Sequence, residues 1–177
     1  GDMGVRFDNA GVDNCTVEGC DFGFFAGTIC RIDGYLYECT SDNNKFINNA
    51  FHNYGIIYSN NCGLHVNNGF GTLVAHNEFY NAPQIGIDLK GTDCILEYNV
   101  MHDVMQNSGD GGALYIGGLR IGRENIIRYN LFYNIKQGSG IFTIYLDDGM
   151  CDQILYSNIF YNAGDYAVMI AGGRENE

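Results

Sequence analysis

The chain contains no tryptophan, a single proline, and only 9 basic side chains against 21 acidic ones in 177 residues. The scarcity of proline leaves nearly every backbone N–H available for β pairing, and the 25 glycines supply turns. No Gly/Ser/Pro-rich stretch marks a linker between domains. We therefore expect one domain over residues 1–177, complete or part of a longer β structure, with residues 1–31 forming an irregular N-terminal coil or cap.

The low content of basic residues limits the kinds of molecule that the protein can bind. A net charge of −12 repels a phosphate backbone, so we expect no nucleic-acid partner. No run of 18 apolar residues is present, which predicts no membrane-spanning helix. The seven cysteines are odd in number and lack zinc-ligand spacing, so we expect small core or turn residues and no metal or other cofactor.

A short motif, Asn-x-Phe or Asn-x-Met, recurs along the chain. Its asparagines are Asn49, Asn77, Asn99, Asn130 and Asn158, and a weaker copy has Cys20 before Phe22. Successive copies lie 29, 28, 22, 31 and 28 residues apart. Periods of about 20–50 residues are typical of solenoids, propellers and other repeat architectures. Stacked asparagine amides can bond one another and tolerate the left-handed conformation of a corner.

A second strand with alternating apolar residues accompanies each regular copy. Its apolar pairs are Leu64/Val66, Ile87/Leu89, Leu114/Ile116, Ile144/Leu146 and Val168/Ile170. The repeat is shorter than the roughly 40–45 residues of a WD-type propeller blade, and leucine-rich repeats require leucines where this chain has Asn-x-Phe. The sequence therefore predicts an all-β, right-handed parallel β-helix of six to seven coils with asparagine and aromatic ladders.

Alternation along these strands also predicts which side chains face outward. Ala113, Tyr115 and Gly117 are expected outside if Leu114 and Ile116 are inside. The resulting outer columns are His65, Asp88, Tyr115, Tyr145 and Met169, and Asn67, Lys90, Gly117, Asp147 and Ala171. We interpret His65, Asp88, Lys90, Tyr115 and Tyr145 as substrate-binding residues on a sugar-binding strip. The alternative is an ordinary solvated sheet face.

Two glycine-flanked positions offer carboxylates for catalysis. Asp110 precedes one strand of this column, and Asp147 and Asp148 follow the next. Hydrolysis of a glycosidic bond needs one carboxyl group to protonate the leaving group and another to attack or activate water. We therefore predict Asp110, Asp147 and Asp148 as catalytic. Solvated acids in turns are the alternative, and alternation alone does not give the distance between Asp110 and Asp147.

Five segments carry a resemblance to a known family. They are Gly-Asp-Gly-Gly-Ala-Leu-Tyr (109–115), Asn-Ile-Ile-Arg-Tyr-Asn (125–130), Ile-Tyr-Leu-Asp-Asp-Gly (144–149), Asn-Ile-Phe-Tyr-Asn (158–162) and Gly-Gly-Arg-Glu-Asn (172–176). Together they resemble bacterial right-handed β-helix carbohydrate-active proteins, and most closely the glycoside hydrolases that include α-fucosidases and xylanases. The resemblance implies an extracellular or periplasmic enzyme acting on polysaccharides, with Asp110 and Asp147 or Asp148 as catalytic acids.

Three functional hypotheses follow. The first is a glycoside hydrolase that cleaves plant cell-wall or similar polysaccharide without a metal. The second is a calcium-assisted polysaccharide lyase, in which Lys90 removes a proton while Asp88 and Asp147 hold Ca²⁺. The third is a non-catalytic carbohydrate-binding or structural β-helix fragment. All three predict a polysaccharide or oligosaccharide partner and a monomer, unless the exposed ends of the coil pair.

Overall fold

The computed structural model describes residues 1–8, 11–34, 41–107, 109–118 and 122–177, and within these ranges every regular element is a β-strand. The first ten strands are β1 (Val5–Asp8), β2 (Thr16–Glu18), β3 (Asp21–Gly23), β4 (Cys30–Asp33), β5 (Ser41–Asp42), β6 (Lys45–Ile47), β7 (Ala50–His52), β8 (Cys62–Phe70), β9 (Leu73–Ala75) and β10 (Glu78–Tyr80). The others are β11 (Ile85–Thr92), β12 (Ile95–Glu97), β13 (Val100–His102), β14 (Gly111–Ile116), β15 (Asn125–Arg128), β16 (Leu131–Ile135), β17 (Ile141–Leu146), β18 (Gln153–Tyr156), β19 (Ile159–Ala163) and β20 (Tyr166–Ile170). No helix in the described ranges is long and apolar enough to cross a membrane.

The strands form three parallel sheets. Sheet 1 has the order β1-β4-β8-β11-β14-β17-β20, with β5 also pairing with β8. Sheet 2 is β19-β16-β13-β10-β7-β3, and sheet 3 is β18-β15-β12-β9-β6-β2. The chain runs repeatedly from sheet 1 to sheet 3 to sheet 2, so the predicted parallel β-helix is confirmed, with about six coils. Its right hand is the one that parallel crossover connections adopt.

The predicted asparagine ladder lies at the corner between sheets 3 and 2. The Nδ2 atoms of Asn49, Asn77, Asn99 and Asn130 each donate to Oδ1 of the next rung over 3.0 Å. Each rung's backbone N–H donates to the same oxygen at 2.9–3.0 Å. Cys20 occupies the first rung, where its N–H donates to Asn49 Oδ1 at 3.0 Å. The ladder therefore supplies partners for backbone groups buried at the corner.

The left-handed conformation at this corner belongs to the residue before each ladder asparagine. These preceding residues have φ between 54° and 58°: Asn48, His76, Tyr98, Tyr129 and Ser157. The ladder asparagines themselves do not have positive φ, so the expectation that they occupy the left-handed position is wrong. The amide side chain is selected for its hydrogen bonds, and a different residue makes the turn.

A second polar ladder lies at the corner between sheets 1 and 3. Asn125 Nδ2 donates to Gln153 Oε1 at 3.0 Å, and Asn176 Oδ1 accepts from the Gln153 N–H at 3.1 Å. Asn44 starts the same column, where its Oδ1 accepts from the Cys15 N–H at 2.9 Å. Sequence analysis missed this ladder because its rungs vary between asparagine, glutamine and other residues.

Between the sheets lies a continuous apolar core. Phe51 and Phe79 are fully buried and stack with centroids 4.6 Å apart, and Phe132 and Phe160 stack at 5.4 Å. The predicted inward aromatic ladder is thus present, with Met101 in register between Phe79 and Phe132. Stacked rings of this kind contribute about 0.5–1.5 kcal/mol per pair beyond their burial.

Alternation in sheet 1 does not hold everywhere. On β17, Thr143 and Tyr145 are buried as well as the inward residues, and on β20, Val168 and Ile170, expected inside, are 37% and 50% exposed. Leu114 and Ile116 are buried as expected, but Ala113, expected outside, is also fully buried in the core. Neighbouring coils show the reason at Gly63 and Gly86, where an added Cβ would lie 2.8 Å from the Phe79 ring and 3.2 Å from Met101 Sδ. The starts of these strands turn small residues toward the aromatic ladder because a larger side chain has no room there.

Candidate functional site

The register of sheet 1 places the predicted outer columns as expected. Asp88 pairs with both His65 and Tyr115, Tyr115 pairs with Tyr145, and Tyr145 pairs with Met169. Lys90 pairs with Asn67 in the adjacent column. Polar side chains from four successive coils therefore meet on one outer face, although the roles predicted for them stay predictions.

Asp147 is oriented by hydrogen bonds at the end of β17. The Tyr115 hydroxyl donates to Asp147 Oδ2 over 2.9 Å, and the Asp148 N–H donates to Oδ1 over 2.8 Å. The side chain of Asp147 remains partly exposed. Both carboxylate oxygens are thus fixed in direction while the group stays accessible from the outer face, as a general base or nucleophile requires.

Asp148 and Lys90 extend the site toward the neighbouring coil. Asp148 Oδ2 accepts a hydrogen bond from the Gly118 N–H over 2.9 Å, and Asp148 adopts a φ of 55°. A Cβ on Gly118, whose φ is 81°, would lie 3.6 Å from Lys90 Nζ. Asp148 and Lys90 therefore both lie beside Gly118, and residues 119–121 lie outside the described ranges.

Asp110 approaches from the other edge of sheet 1. It is exposed, has a φ of 56°, and immediately precedes β14. Burial, the hydrogen bond and charge of Asp147, and the charge of Asp110 together raise the pKa of Tyr145 to about 12. The two acids thus share Tyr145 as an electrostatic neighbour. Alternation along the strands does not predict that both carboxylates act on Tyr145.

The two tyrosines differ in accessibility. Tyr145 is only 8% exposed, and its ring packs edge-on against Phe142 with centroids 4.7 Å apart. Tyr115 is partly exposed, and burial together with the Asp147 hydrogen bond raises its pKa. Tyr115 therefore has the more accessible ring of the two.

A buried charged cluster lies farther along the same face. Asp88 Oδ2 is 3.4 Å from both His65 Nε2 and Lys90 Nζ, with side chains 13–24% exposed. Burial lowers the pKa of His65, and the positive charges of Arg31 and Lys90 lower it further, against the opposing effect of Asp88. His65 Nε2 and Asp88 Oδ1 are buried without a hydrogen-bond partner. Both residues line a cleft of about 230 Å³.

Sequence analysis missed two members of this cluster. Arg31 pairs with His65 in the strand register, and Asp33 pairs with Asn67. Burial would raise the pKa of Asp33, but hydrogen bonds from Arg31 and Asn67 and the charges of Arg31 and Arg6 outweigh it and lower that pKa. The alternation Cys-Arg-Ile-Asp at positions 30–33 carries the same strand pattern as the later coils and would have placed both residues in the columns.

Asp88 and Asp147, the Ca²⁺ ligands of the lyase hypothesis, each have other partners. Asp88 contacts His65 and Lys90, whereas Asp147 accepts the hydrogen bond from Tyr115. Across the described ranges, no three His, Cys, Asp or Glu side chains converge in the way a metal site requires. The Ca²⁺ role of Asp88 and Asp147 in the lyase hypothesis stays a prediction.

Comparisons with known proteins show the fold. No family model matches the chain, and no curated protein matches it. A solved structure described as a glycoside hydrolase has a TM-score of 0.68 and 18% identity, covering 97% of this chain and 35% of its own. An alginate lyase from Paenibacillus sp. str. FPU-7 has a TM-score of 0.63 and 16% identity, covering 92% and 66%. The GH136 lacto-N-biosidase from Eubacterium ramulus has a TM-score of 0.51 and 14% identity, covering 89% and 27%.

The chain thus spans 35% and 66% of the first two of these structures. Identities of 14–18% carry the β-helix architecture and not a particular reaction. Evidence for a particular reaction therefore comes from the side chains on sheet 1.

Proposed function

We propose that the protein is a carbohydrate-active β-helix enzyme, a glycoside hydrolase acting on a polysaccharide or oligosaccharide. The observation that carries the proposal is the carboxylate of Asp147, fixed by Tyr115 at 2.9 Å on an accessible face. Asp110 precedes β14 at the opposite edge of the sheet, and its charge contributes to the raised pKa of Tyr145. Two carboxyl groups are the minimum that glycosidic hydrolysis requires.

In this proposal the roles follow from geometry. Asp147, with both oxygens directed by hydrogen bonds, attacks the sugar or activates water. Asp110 is exposed and donates the proton to the leaving oxygen, and Asp148 positions the Gly118 loop through its contact with the Gly118 N–H. His65, Asp88, Lys90 and Tyr115 bind sugar hydroxyls along the strip, and Tyr145 supports Asp147 from beneath.

The finer assignments are also part of the proposal. Resemblance to the hydrolases that include α-fucosidases and xylanases suggests plant cell-wall or similar polysaccharide as substrate. The same resemblance suggests an extracellular or periplasmic location and a monomer that needs no metal.

A second candidate, a polysaccharide lyase, is supported by one observation. The buried His65, whose pKa is lowered by burial, is suited to accept a proton beside Asp88. Lys90 Nζ, in contrast, lies 3.4 Å from the Asp88 carboxylate and forms an ion pair with it. The lyase hypothesis therefore rests on His65 more than on Lys90.

The test measures sugar release from a panel of plant and bacterial polysaccharides by the wild type and by Asp147→Asn and Asp110→Asn. We expect each variant to lose activity by about 10²–10⁴-fold, because each loses one proton-transfer or nucleophilic group. Glu18→Gln, an exposed acid on β2, is the control and should keep full activity.

Circular dichroism shows whether each variant remains folded. Unchanged activity in both aspartate variants, or no sugar release by the wild type, would contradict the hydrolase. An ultraviolet-absorbing unsaturated product that disappears in His65→Gln would instead establish the lyase.

A further inference from the structure

One residue at or just after the end of each strand of sheet 2 has a left-handed conformation. In five coils this residue has φ of 50–53° and is Asn53, Asn81, Asp103, Asn134 or Asn162. Asparagine and aspartate tolerate this conformation better than other residues with a side chain. The first coil departs from the pattern, because its corner residue is Phe24, with φ of 63°.

At this corner an exposed aromatic residue replaces the asparagine or aspartate of the other coils. The Phe24 side chain is 70% exposed, so it adds little to the core, and its ring lies edge-on to the His52 ring at 5.9 Å. A bulky residue at positive φ is locally unfavourable. An unfavourable backbone conformation that holds an exposed aromatic ring on the surface is a reason to look for a ligand.

Phe24 borders a cleft of about 300 Å³ that we call the corner cleft. Its walls include Phe24 and Ile56 together with the amides of Asn53, Asn81, Gln106 and Asn107. These residues belong to four successive coils, so the cleft runs parallel to the solenoid axis for about 14 Å, three strand spacings of about 4.8 Å. An extended chain of a few linked rings fits this length.

The chemistry of the walls selects the class of ligand. Among the residues that form the cleft, all of which the structure describes, none is charged, although the chain carries 21 acidic and 9 basic side chains. Amide groups both donate and accept hydrogen bonds, which matches sugar hydroxyls. The exposed Phe24 ring offers an apolar surface to the C–H face of a sugar ring. Lys136 lies beside the cleft, where its Nζ donates a hydrogen bond to the Gln106 carbonyl over 3.0 Å, and the cleft walls themselves supply no other cation.

Neighbouring side chains continue the apolar surface. Ile56, Ile57 and Tyr58 are 59%, 72% and 57% exposed, and they lie on the connection between β7 and β8. A cluster of large, solvent-exposed apolar side chains marks a site of interaction on a protein surface. The corner cleft lies before the strands of sheet 1, on the same side as Asp110, whereas Asp147 follows these strands.

We infer that the corner cleft is a non-catalytic binding site for a neutral oligosaccharide or polysaccharide, with Phe24 as its aromatic platform. The inference does not depend on the hydrolase, because binding at the cleft requires none of the carboxylates of sheet 1. It goes beyond the proposed function in assigning a second site with its own ligand class.

Affinity electrophoresis tests it, with hydroxyethyl cellulose and galactomannan as neutral probes and polygalacturonate as the charged one. All proteins carry Asp147→Asn, so that hydrolysis cannot alter the probe. We expect a neutral polymer to retard the protein, polygalacturonate to have no effect, and Phe24→Asn to raise the dissociation constant on the order of tenfold. Asparagine at this corner is the residue of the other coils, so that variant keeps the fold.

Two further variants sharpen the result. Asn107→Ala removes an exposed amide at a position without positive φ and should also weaken retardation. Tyr161→Asn removes a ring that is equally exposed, at 70%, on the last coil, and should leave retardation unchanged. The inference is overturned if neither neutral polymer retards the protein, if polygalacturonate retards it as strongly, or if Phe24→Asn and Asn107→Ala bind like their parent. Sugar release is measured separately with protein that has an intact Asp147. If no sugar is released, the binding result still tests the corner cleft.

Discussion

The hydroxyl of Tyr115 donates a hydrogen bond to Oδ2 of Asp147 across 2.9 Å, joining β14 to the residue that follows β17. The two residues are 32 positions apart in the chain, about one coil, and lie in neighbouring outward columns. Because Tyr115 is anchored by the sheet, the direction of the Asp147 carboxylate is set by the scaffold and not by a mobile loop.

The first prediction concerns the effect of Asp147 on its tyrosine neighbours. Burial is the main cause of the pKa of about 12 for Tyr145, and the hydrogen bond and charge of Asp147 supply part of the same rise. Asp147→Asn removes the charge, so the pKa of Tyr145 should fall toward its ordinary value of 10. Ultraviolet difference titration measures this, with Tyr145→Phe to assign the transition. An unchanged titration in Asp147→Asn would show that the carboxylate does not act on this ring.

The second prediction concerns stability in mild acid. Burial is the main cause of the lowered pKa of His65, so the unfolded chain binds a proton near the ordinary value of 6.5 and the folded chain at lower pH. Stability contributed by neutral His65 is therefore present above about pH 6.5 and is lost as the pH falls below it. His65→Gln should reduce the loss of urea midpoint between about pH 7 and pH 5. If wild type and variant lose the same amount, His65 does not contribute.

The third prediction concerns the asparagine ladder. Asn99 is 1% exposed, and its Oδ1 accepts from both the N–H and Nδ2 of Asn77. Asn99→Ala leaves buried donors without a partner and should lower the free energy of unfolding by about 2–3 kcal/mol. Asn158, the partly exposed last rung, is the matched comparison and should cost less when replaced by alanine. Urea denaturation decides it, and equal losses would show that the position in the ladder is irrelevant.

Much of the fold follows from local patterns. The spacing of Asn77, Asn99 and Asn130 predicted both the coil period and the ladder, because an amide that bonds its equivalent in the next coil must recur once per coil. Failures occurred where the rung residue varies, as at Gln153, and where a strand bends, as at Ala113. In both places the constraint is space or a hydrogen bond supplied by another coil.

For the candidate site, alternation placed Asp88, Tyr115 and Tyr145 in one column without any knowledge of distances. It did not include Arg31 and Asp33, whose short segment carries the same pattern but lies in the less regular first third. It also gave no reason to select Phe24, because a left-handed φ and an exposed ring are properties of a folded corner.

The amino-acid sequence by itself determined the repeat, the inward and outward faces of most strands, and the set of polar residues on sheet 1. These depend on periodicity, which is a property of the chain. Only the tertiary structure decided that Asp147 is held by Tyr115, that the charge of Asp110 acts on Tyr145, and that Phe24 borders a cleft with uncharged walls. Such contacts join residues from different coils and loops, and their distances are fixed only when the coils stack.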